Sequence, residues 1–421
     1  MDKFVIKGGT RLSGSIKLKA SKNAVLPILS ACLLLTKGDL IIHNVPDVLD
    51  VRVMLKLLSK LGAKCDFDKS TGTVVLNTEG VNEVEAPYNL VRRMRASFMV
   101  LGPLLARFGR ARVSLPGGCA IGARPVDQHL RGFRALGAKI KEEHGYIDAK
   151  LDSGLKGGIV YFDRPSHTGT ENIMMGAVFA SGETTIINAA CDPEVVDLAN
   201  LLNAMGGRVY GAGTSVIRIE GVKRLQSVEY TPIGDRLEGG TYLFAALGTG
   251  GDVTVEGIKP QHLTLPLLKM AEMGGELEIR RDWIRLKMKG RCYPANFTTF
   301  PYPGFPTDLQ ACAMAVSTKA DGTSYVRETV FENRFLHVME LMRLGANLHI
   351  MGDQVIVTGV EKLNGAEVMA SDIRAGAGLV IAGMMAEGET SVLRVYHIDR
   401  GYQSLENGLN KLGAKIKRKN I

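Results

Sequence analysis

Apolar residues at helical spacing recur along the chain. Six times such a stripe closes on Leu or Met followed by glycine and another small residue. The closing segments are Leu61-Gly62-Ala63, Leu136-Gly137-Ala138, Met205-Gly206-Gly207, Met273-Gly274-Gly275, Leu344-Gly345-Ala346 and Leu412-Gly413-Ala414. Gly62 to Gly137 is 75 residues, and the later intervals are 69, 68, 71 and 68. A glycine there reads as the left-handed residue that ends a helix. Residues 276–279 and 347–350 then alternate as strands, the latter turning into a second strand at 354–357. Earlier in each repeat lies another helix, as at 173–181 or 376–386, followed by a strand at 184–187 or 390–393.

Each repeat is thus helix, strand, helix, hairpin, an α/β unit that cannot bury its apolar face alone. The sixth repeat ends at Ile421 without a return strand, and Phe4-Val5-Ile6-Lys7-Gly8 resembles the returns at 216–221 and 355–359. The pattern predicts that the amino-terminal strand completes the carboxy-terminal domain. It divides the chain into a lobe of three repeats over 22–230 and a second lobe made of 1–21 with 231–421. A ligand cleft between two such lobes is the default expectation.

Composition narrows the class. The chain is 45% hydrophobic and 23% charged over 421 residues, ordinary for a soluble globular protein and too long for one core. Its longest apolar runs are too short to span a bilayer, and its start lacks a signal-peptide pattern. Cysteines 32, 65, 119, 191, 292 and 312 are scattered without paired spacing. Neither a metal site nor a disulfide framework is indicated, and a reducing cytoplasm fits. The net charge of +9 favours acidic ligands, either nucleic acid or phosphorylated small molecules.

Chemistry concentrates in Leu115-Pro116-Gly117-Gly118-Cys119-Ala120-Ile121-Gly122-Ala123-Arg124-Pro125, between a strand at 112–115 and a helix predicted over 125–136. Glycines let this backbone approach a ligand. Cys119 is either a small buried hydrophobe or a thiol tuned by Arg124 and the helix start. The first helices of the six repeats open near equivalent residues: Asn23, Arg95, Thr168, Arg236, Asp308 and Arg374. Arg124, Arg334 and Arg400 precede three of the second helices. Arginine opposes the dipole of a helix start, so the recurrence points to anionic ligands at these mouths.

Six motifs in order carry a family resemblance that spans the chain. They are Lys22-Asn23-Ala24, Met94-Arg95-Ala96-Ser97, the Cys119 loop, Phe305-Pro306-Thr307-Asp308, Glu328-Thr329-Val330-Phe331-Glu332-Asn333-Arg334-Phe335 and Tyr396-His397-Ile398-Asp399-Arg400-Gly401-Tyr402. The chain resembles the UDP-N-acetylglucosamine enolpyruvyl transferase family. The resemblance implies a two-lobed inside-out α/β barrel, each lobe three repeated units. It implies transfer of the enolpyruvyl group of phosphoenolpyruvate to the 3′-hydroxyl of UDP-N-acetylglucosamine, with release of phosphate. That is the first committed step of bacterial peptidoglycan synthesis, inhibited in this family by fosfomycin. By the same resemblance Cys119 is the general acid and adduct carrier, and Asp308 the general base. Lys22, Arg124 and Arg400 clamp phosphoenolpyruvate, with Arg334 and Arg374 nearby. Asn23, Arg95, Arg124, Pro125, Val126, Asp127, Gln128, Arg164, Pro165, Ser166, His167, Asp308 and Val330 contact the nucleotide sugar. No cofactor, metal, nucleic acid or membrane is implied.

Two departures accompany the match. Arg164 and His167 stand where the family more often has lysine and an aliphatic residue, and Gly234 stands where proline is common, which implies a looser turn. His129, in the helix after the loop, reads as either a support of the site or a core-satisfied or solvated residue. Two alternatives are weighed against this reading. A transferase acting on shikimate 3-phosphate lacks the Gly-Gly-Cys loop. A basic nucleic-acid-binding repeat protein fits the charge, but not 6% aromatics with a single tryptophan.

Overall fold

The computed structural model describes residues 2–117 and 126–420, so Cys119, Arg124 and Pro125 lie outside the described residues. The chain forms two compact lobes. The first lies between Ala20 and Ile233; the second takes Gly234 onward together with the stretch up to Lys19.

Each lobe contains three four-stranded sheets among the described residues, and all six share one strand order. In the third repeat Ile159–Tyr161 runs parallel to Glu183–Ile187, which pairs antiparallel with Val216–Glu220, itself antiparallel to Arg208–Tyr210. The outer parallel strand is what joins repeats into a closed set. Val228–Tyr230, at the end of the third repeat, pairs with Asp39–Ile42 of the first, Tyr230 opposite Ile42. In the second lobe Ser13–Lys17 serves Asp252–Glu256 in the same way. Asp2–Lys7 lies between Glu389–Leu393 and Ile416–Asn420, antiparallel to both. The sixth repeat therefore takes its return strand from the opposite end of the chain.

Helices lie inside and sheets outside. Arg236–Thr249, Gln310–Ser317 and Ile373–Met385 pack against one another and are buried almost throughout. A helix such as IRAGAGLVIAGMM is apolar on every side and has no face to offer water. Glycine brings these helices close: a Cβ at Gly378 would lie 2.7 Å from the carbonyl oxygen of Ala311. In the first lobe the second helix of the first repeat, Leu49–Lys60, is amphipathic and packs against Lys22–Ala31. Each lobe has its own apolar core. All six closing glycines have φ between +88° and +106°, the left-handed conformation the repeats require.

Two helix boundaries differ from the periodicity. The helix expected at 173–181 is His167–Ala177, because the Oγ of Ser166 accepts from the N–H of Gly169 and caps it earlier. Its polar first turns hide that start. The helix after the Cys119 loop is Asp127–Ala135. Among the described residues no helix is long and apolar enough to cross a membrane.

Candidate functional site

In the second lobe the structure gathers Asp308, Arg334 and Arg374 around one carboxylate. Asp308 lies in the 3₁₀ turn Thr307–Leu309 that leads into a central helix. Its Oδ1 accepts from Nη2 of Arg334 at 2.9 Å and its Oδ2 from Nε of Arg374 at 3.1 Å. Both arginines are buried, 5% and 3% exposed. Buried charges of this kind persist only when paired. The Arg374 guanidinium also stands 5.1 Å over the ring of Tyr402, while its Nη1 has no hydrogen-bond partner.

A second carboxylate holds this turn in place. Glu328 is buried, and its Oε1 accepts from Thr299 Oγ1 and from the backbone N–H of Val330 and Phe331. Its Oε2 accepts from Thr307 Oγ1 at 2.8 Å, and Thr307 in turn accepts from Nη1 of Arg334 at 3.0 Å. Val330, half-buried, is thereby tied to the Asp308 turn. Arg400 closes the 3₁₀ segment Val395–Arg400 and lowers the pKa of His397, adding to the larger effect of burial.

The helix mouths do not all present bare N–H groups. Asp235 caps Arg236–Thr249 through Leu237 and Glu238, and Asp372 caps Ile373–Met385 through Arg374 and Ala375. At these two ends two of the backbone donors are already taken by the capping carboxylate. Gly234 does not loosen its turn: a Cβ there would sit 1.9 Å from the carbonyl oxygen of Gly257, so the close approach needs glycine.

The first lobe assembles a different set. Lys22 opens Lys22–Ala31 and is buried, its Nζ 3.5 Å from Oδ2 of Asp50. Asn23 follows it, half-buried. Arg95 begins the 3₁₀ segment Arg95–Val100, and its charge adds to the larger effect of burial in lowering the pKa of His129. Val126 is buried ahead of Asp127–Ala135, where Asp127 is exposed and Gln128 half-buried. Arg164 and Pro165 are exposed in the turn before the Ser166 cap, and His167 is the first helical residue.

His167 is bracketed by acids, with Nε2 3.1 Å from Glu171 and Nδ1 3.5 Å from Asp192. Burial alone would lower its pKa, but the two carboxylates outweigh that and raise it well above the usual histidine value. His167, Asp192 and Glu194 are close enough to share a metal ion, yet both ring nitrogens of His167 already face carboxylates.

Glu238, in the first turn after Asp235, supplies a pH test. Burial and the Asp235 charge push its carboxyl up to about 8, against a weaker pull from Tyr242 and Arg374. A raised folded pKa gives stability that is complete below the unfolded value near 4.3 and is lost as pH rises through about 8. Glu238 is expected to lower the urea stability of the second lobe, followed by its only tryptophan, Trp283, as pH rises from 5 to 8, against an opposite contribution from His337 and His397 below about pH 6.5. Glu238→Gln is expected to flatten that slope; an unchanged slope would refute the assignment.

Sequence reasoning missed Asp50, Glu171, Asp192 and the bracing role of Glu328. Glu328 stood inside a quoted motif; the other three lack any local signal.

The profile of the EPSP synthase (3-phosphoshikimate 1-carboxyvinyltransferase) family matches residues 6–416. UDP-N-acetylglucosamine 1-carboxyvinyltransferase 2 of Carboxydothermus hydrogenoformans is 54% identical over 420 residues, covering 99% of both chains. The UDP-N-acetylglucosamine 1-carboxyvinyltransferase of Desulforapulum autotrophicum is 52% identical over 419 residues, covering 99% of this chain and all of that one. Among solved structures, the enolpyruvyl transferase NikO from Streptomyces tendae superposes with a TM-score of 0.88 at 23% identity over 99% of this chain and 98% of its own. EPSP synthase from Acinetobacter baumannii gives 0.77 at 16% identity over the whole of both chains. At those identities the two structures establish the fold: a two-lobed α/β architecture. The chain belongs to the EPSP synthase family and is an enzyme of the enolpyruvyl transferase class.

Proposed function

We propose that the protein transfers the enolpyruvyl group of phosphoenolpyruvate to the 3′-hydroxyl of UDP-N-acetylglucosamine and releases phosphate, as a cytoplasmic enzyme of peptidoglycan synthesis. The observation that carries the chemistry is Asp308 gripped by two buried arginines. The substrate is supported by the names of relatives more than 50% identical over nearly the full chain.

The reaction is an addition followed by an elimination. The sugar oxygen bonds to C2 of phosphoenolpyruvate while C3 gains a proton; C3 then loses a proton and the C2–O bond to phosphate breaks. Asp308 takes the hydroxyl proton. Its two oxygens accept from Arg334 and Arg374, which hold the carboxylate ionised and oriented for that transfer. Cys119 supplies the proton to C3 and carries the covalent adduct. Lys22, Arg124 and Arg400 hold the phosphate and carboxylate charges, with Arg334 and Arg374 beside them. The unpartnered Nη1 of Arg374 suits an anionic ligand. Asn23, Arg95, Arg124, Pro125, Val126, Asp127, Gln128, Arg164, Pro165, Ser166, His167 and Val330 complete the nucleotide-sugar site.

Phosphate release tests this directly. Turnover is expected with phosphoenolpyruvate plus UDP-N-acetylglucosamine and absent with shikimate 3-phosphate; the reverse preference would overturn the substrate assignment. Cys119→Ser is expected to lose most turnover and to give no mass adduct with fosfomycin, because serine is a far poorer acid and nucleophile at neutral pH. An adduct persisting in that variant would remove Cys119 from its role.

A further inference from the structure

A chain of hydrogen bonds in the first lobe fixes the direction of one hydroxyl at the mouth of the helix His167–Ala177. It begins at Asn172, whose Oδ1 accepts from the N–H of Gly102 at 2.8 Å and whose Nδ2 donates to the carbonyl of Phe98 at 3.2 Å. These two contacts set the orientation of the amide, since the flipped form would place donor against donor and acceptor against acceptor. The second hydrogen on Nδ2 then points to Nδ1 of His129, 3.1 Å away. Nδ1 must therefore accept, so the ring proton sits on Nε2. That nitrogen is 3.3 Å from Oγ1 of Thr168, which receives the proton as an acceptor. With its oxygen taken as acceptor, the Thr168 hydroxyl hydrogen turns elsewhere.

We propose that Thr168 is a specificity-determining residue whose hydroxyl donates to an acceptor oxygen of the nucleoside diphosphate, and that His129 is the positioning residue that keeps it a donor. The inference rests on the proposed nucleotide-sugar function, because Thr168 directly follows His167. Two further observations support it. Burial, with a smaller effect from the Arg95 charge, pushes His129 down to about 3, so the ring stays neutral and its tautomer does not change over the working range. Phe98 packs edge-on against the imidazole, centroids 5.4 Å apart, and holds the ring plane. Among the described residues the charged group that acts on His129 is Arg95, with Thr168 and Asn172 as neutral partners.

The test is steady-state kinetics with UDP-N-acetylglucosamine varied. Thr168→Val keeps the shape and removes the donor; KM for the nucleotide sugar is expected to rise about five- to ten-fold, with kcat and the KM for phosphoenolpyruvate within two-fold. Thr168→Ser is expected to keep wild-type KM. His129→Gln can accept from Asn172 through Oε1 and donate to Thr168 through Nε2, and is expected to rescue; His129→Phe has neither group and is expected to match Thr168→Val. In the double variant Thr168→Val with His129→Phe, the KM effects are expected not to add. An unchanged KM in Thr168→Val, or full additivity, would overturn the proposal even if His129→Phe fails to fold. Wild-type enzyme inert toward UDP-N-acetylglucosamine would instead refute the function on which it rests.

Discussion

Asp308→Asn is expected to lower kcat by about 10²- to 10⁴-fold, the range for loss of a positioned general base. The amide has the carboxylate's shape, so nucleotide-sugar binding is expected to weaken much less than the rate. A second effect separates this residue from a merely structural acid. Arg334 and Arg374 are 5% and 3% exposed, and Asp308 takes a donor from each. Removing the negative charge leaves two buried guanidiniums without it, a loss on the order of 3–5 kcal/mol where a buried pair is broken. Asp308→Asn is therefore expected to destabilise the second lobe in urea titrations read at Trp283. Asp308→Glu retains the charge and moves it by one methylene, so it is expected to recover most of the stability but little of the rate. Calorimetric titration with UDP-N-acetylglucosamine supplies the binding comparison. A kcat within three-fold of wild type in Asp308→Asn would remove the residue from the proton transfer.

The repeat was legible because each copy needs the same backbone exception. A helix that must end and turn into a strand within two residues requires a left-handed residue, and glycine marks it at Gly62, Gly137, Gly206, Gly274, Gly345 and Gly413. Arg95 and Arg374 were legible because arginine at the start of an apolar helix opposes its dipole, and Asp308 because it stands at the equivalent place in its own repeat. What the pattern did not carry was the partner itself. Asp50 meets Lys22, and Glu328 braces Thr307 across 21 residues, through contacts that only the folded sheets and helices create. The repeat spacing placed a helix start at Thr168, but the apolar periodicity began that helix only at 173, because Thr168, Thr170, Glu171 and Asn172 look like a loop. Their polarity serves a buried network and not solvent: Thr170, Glu171 and Asn172 are each no more than 1% exposed.

Deletion of residues 2–7 is expected to unfold the second lobe while the first lobe stays folded. Phe4 and Ile6 are fully buried, and the strand pairs Phe4 with Val392 on one side and with Arg418 on the other. Ile416–Asn420 has no other neighbour in its sheet, so without Asp2–Lys7 its ladder is lost and Glu389–Leu393 becomes an open edge. Truncating a buried phenylalanine alone costs about 3–5 kcal/mol and a buried isoleucine about 2–5. Added to the lost ladder, that approaches or exceeds the whole stability of an ordinary domain, roughly 5–15 kcal/mol. The first lobe draws on a separate core and keeps every strand of its three sheets. Limited proteolysis of the truncated chain is therefore expected to leave a resistant fragment within residues 20–233. Trp283 is expected to emit as in urea-unfolded protein. A synthetic peptide of residues 2–7 added in trans is expected to restore part of the native emission, because it supplies the missing register without a covalent link. A truncated chain with the full-length Trp283 unfolding transition would show that this strand is dispensable to the lobe.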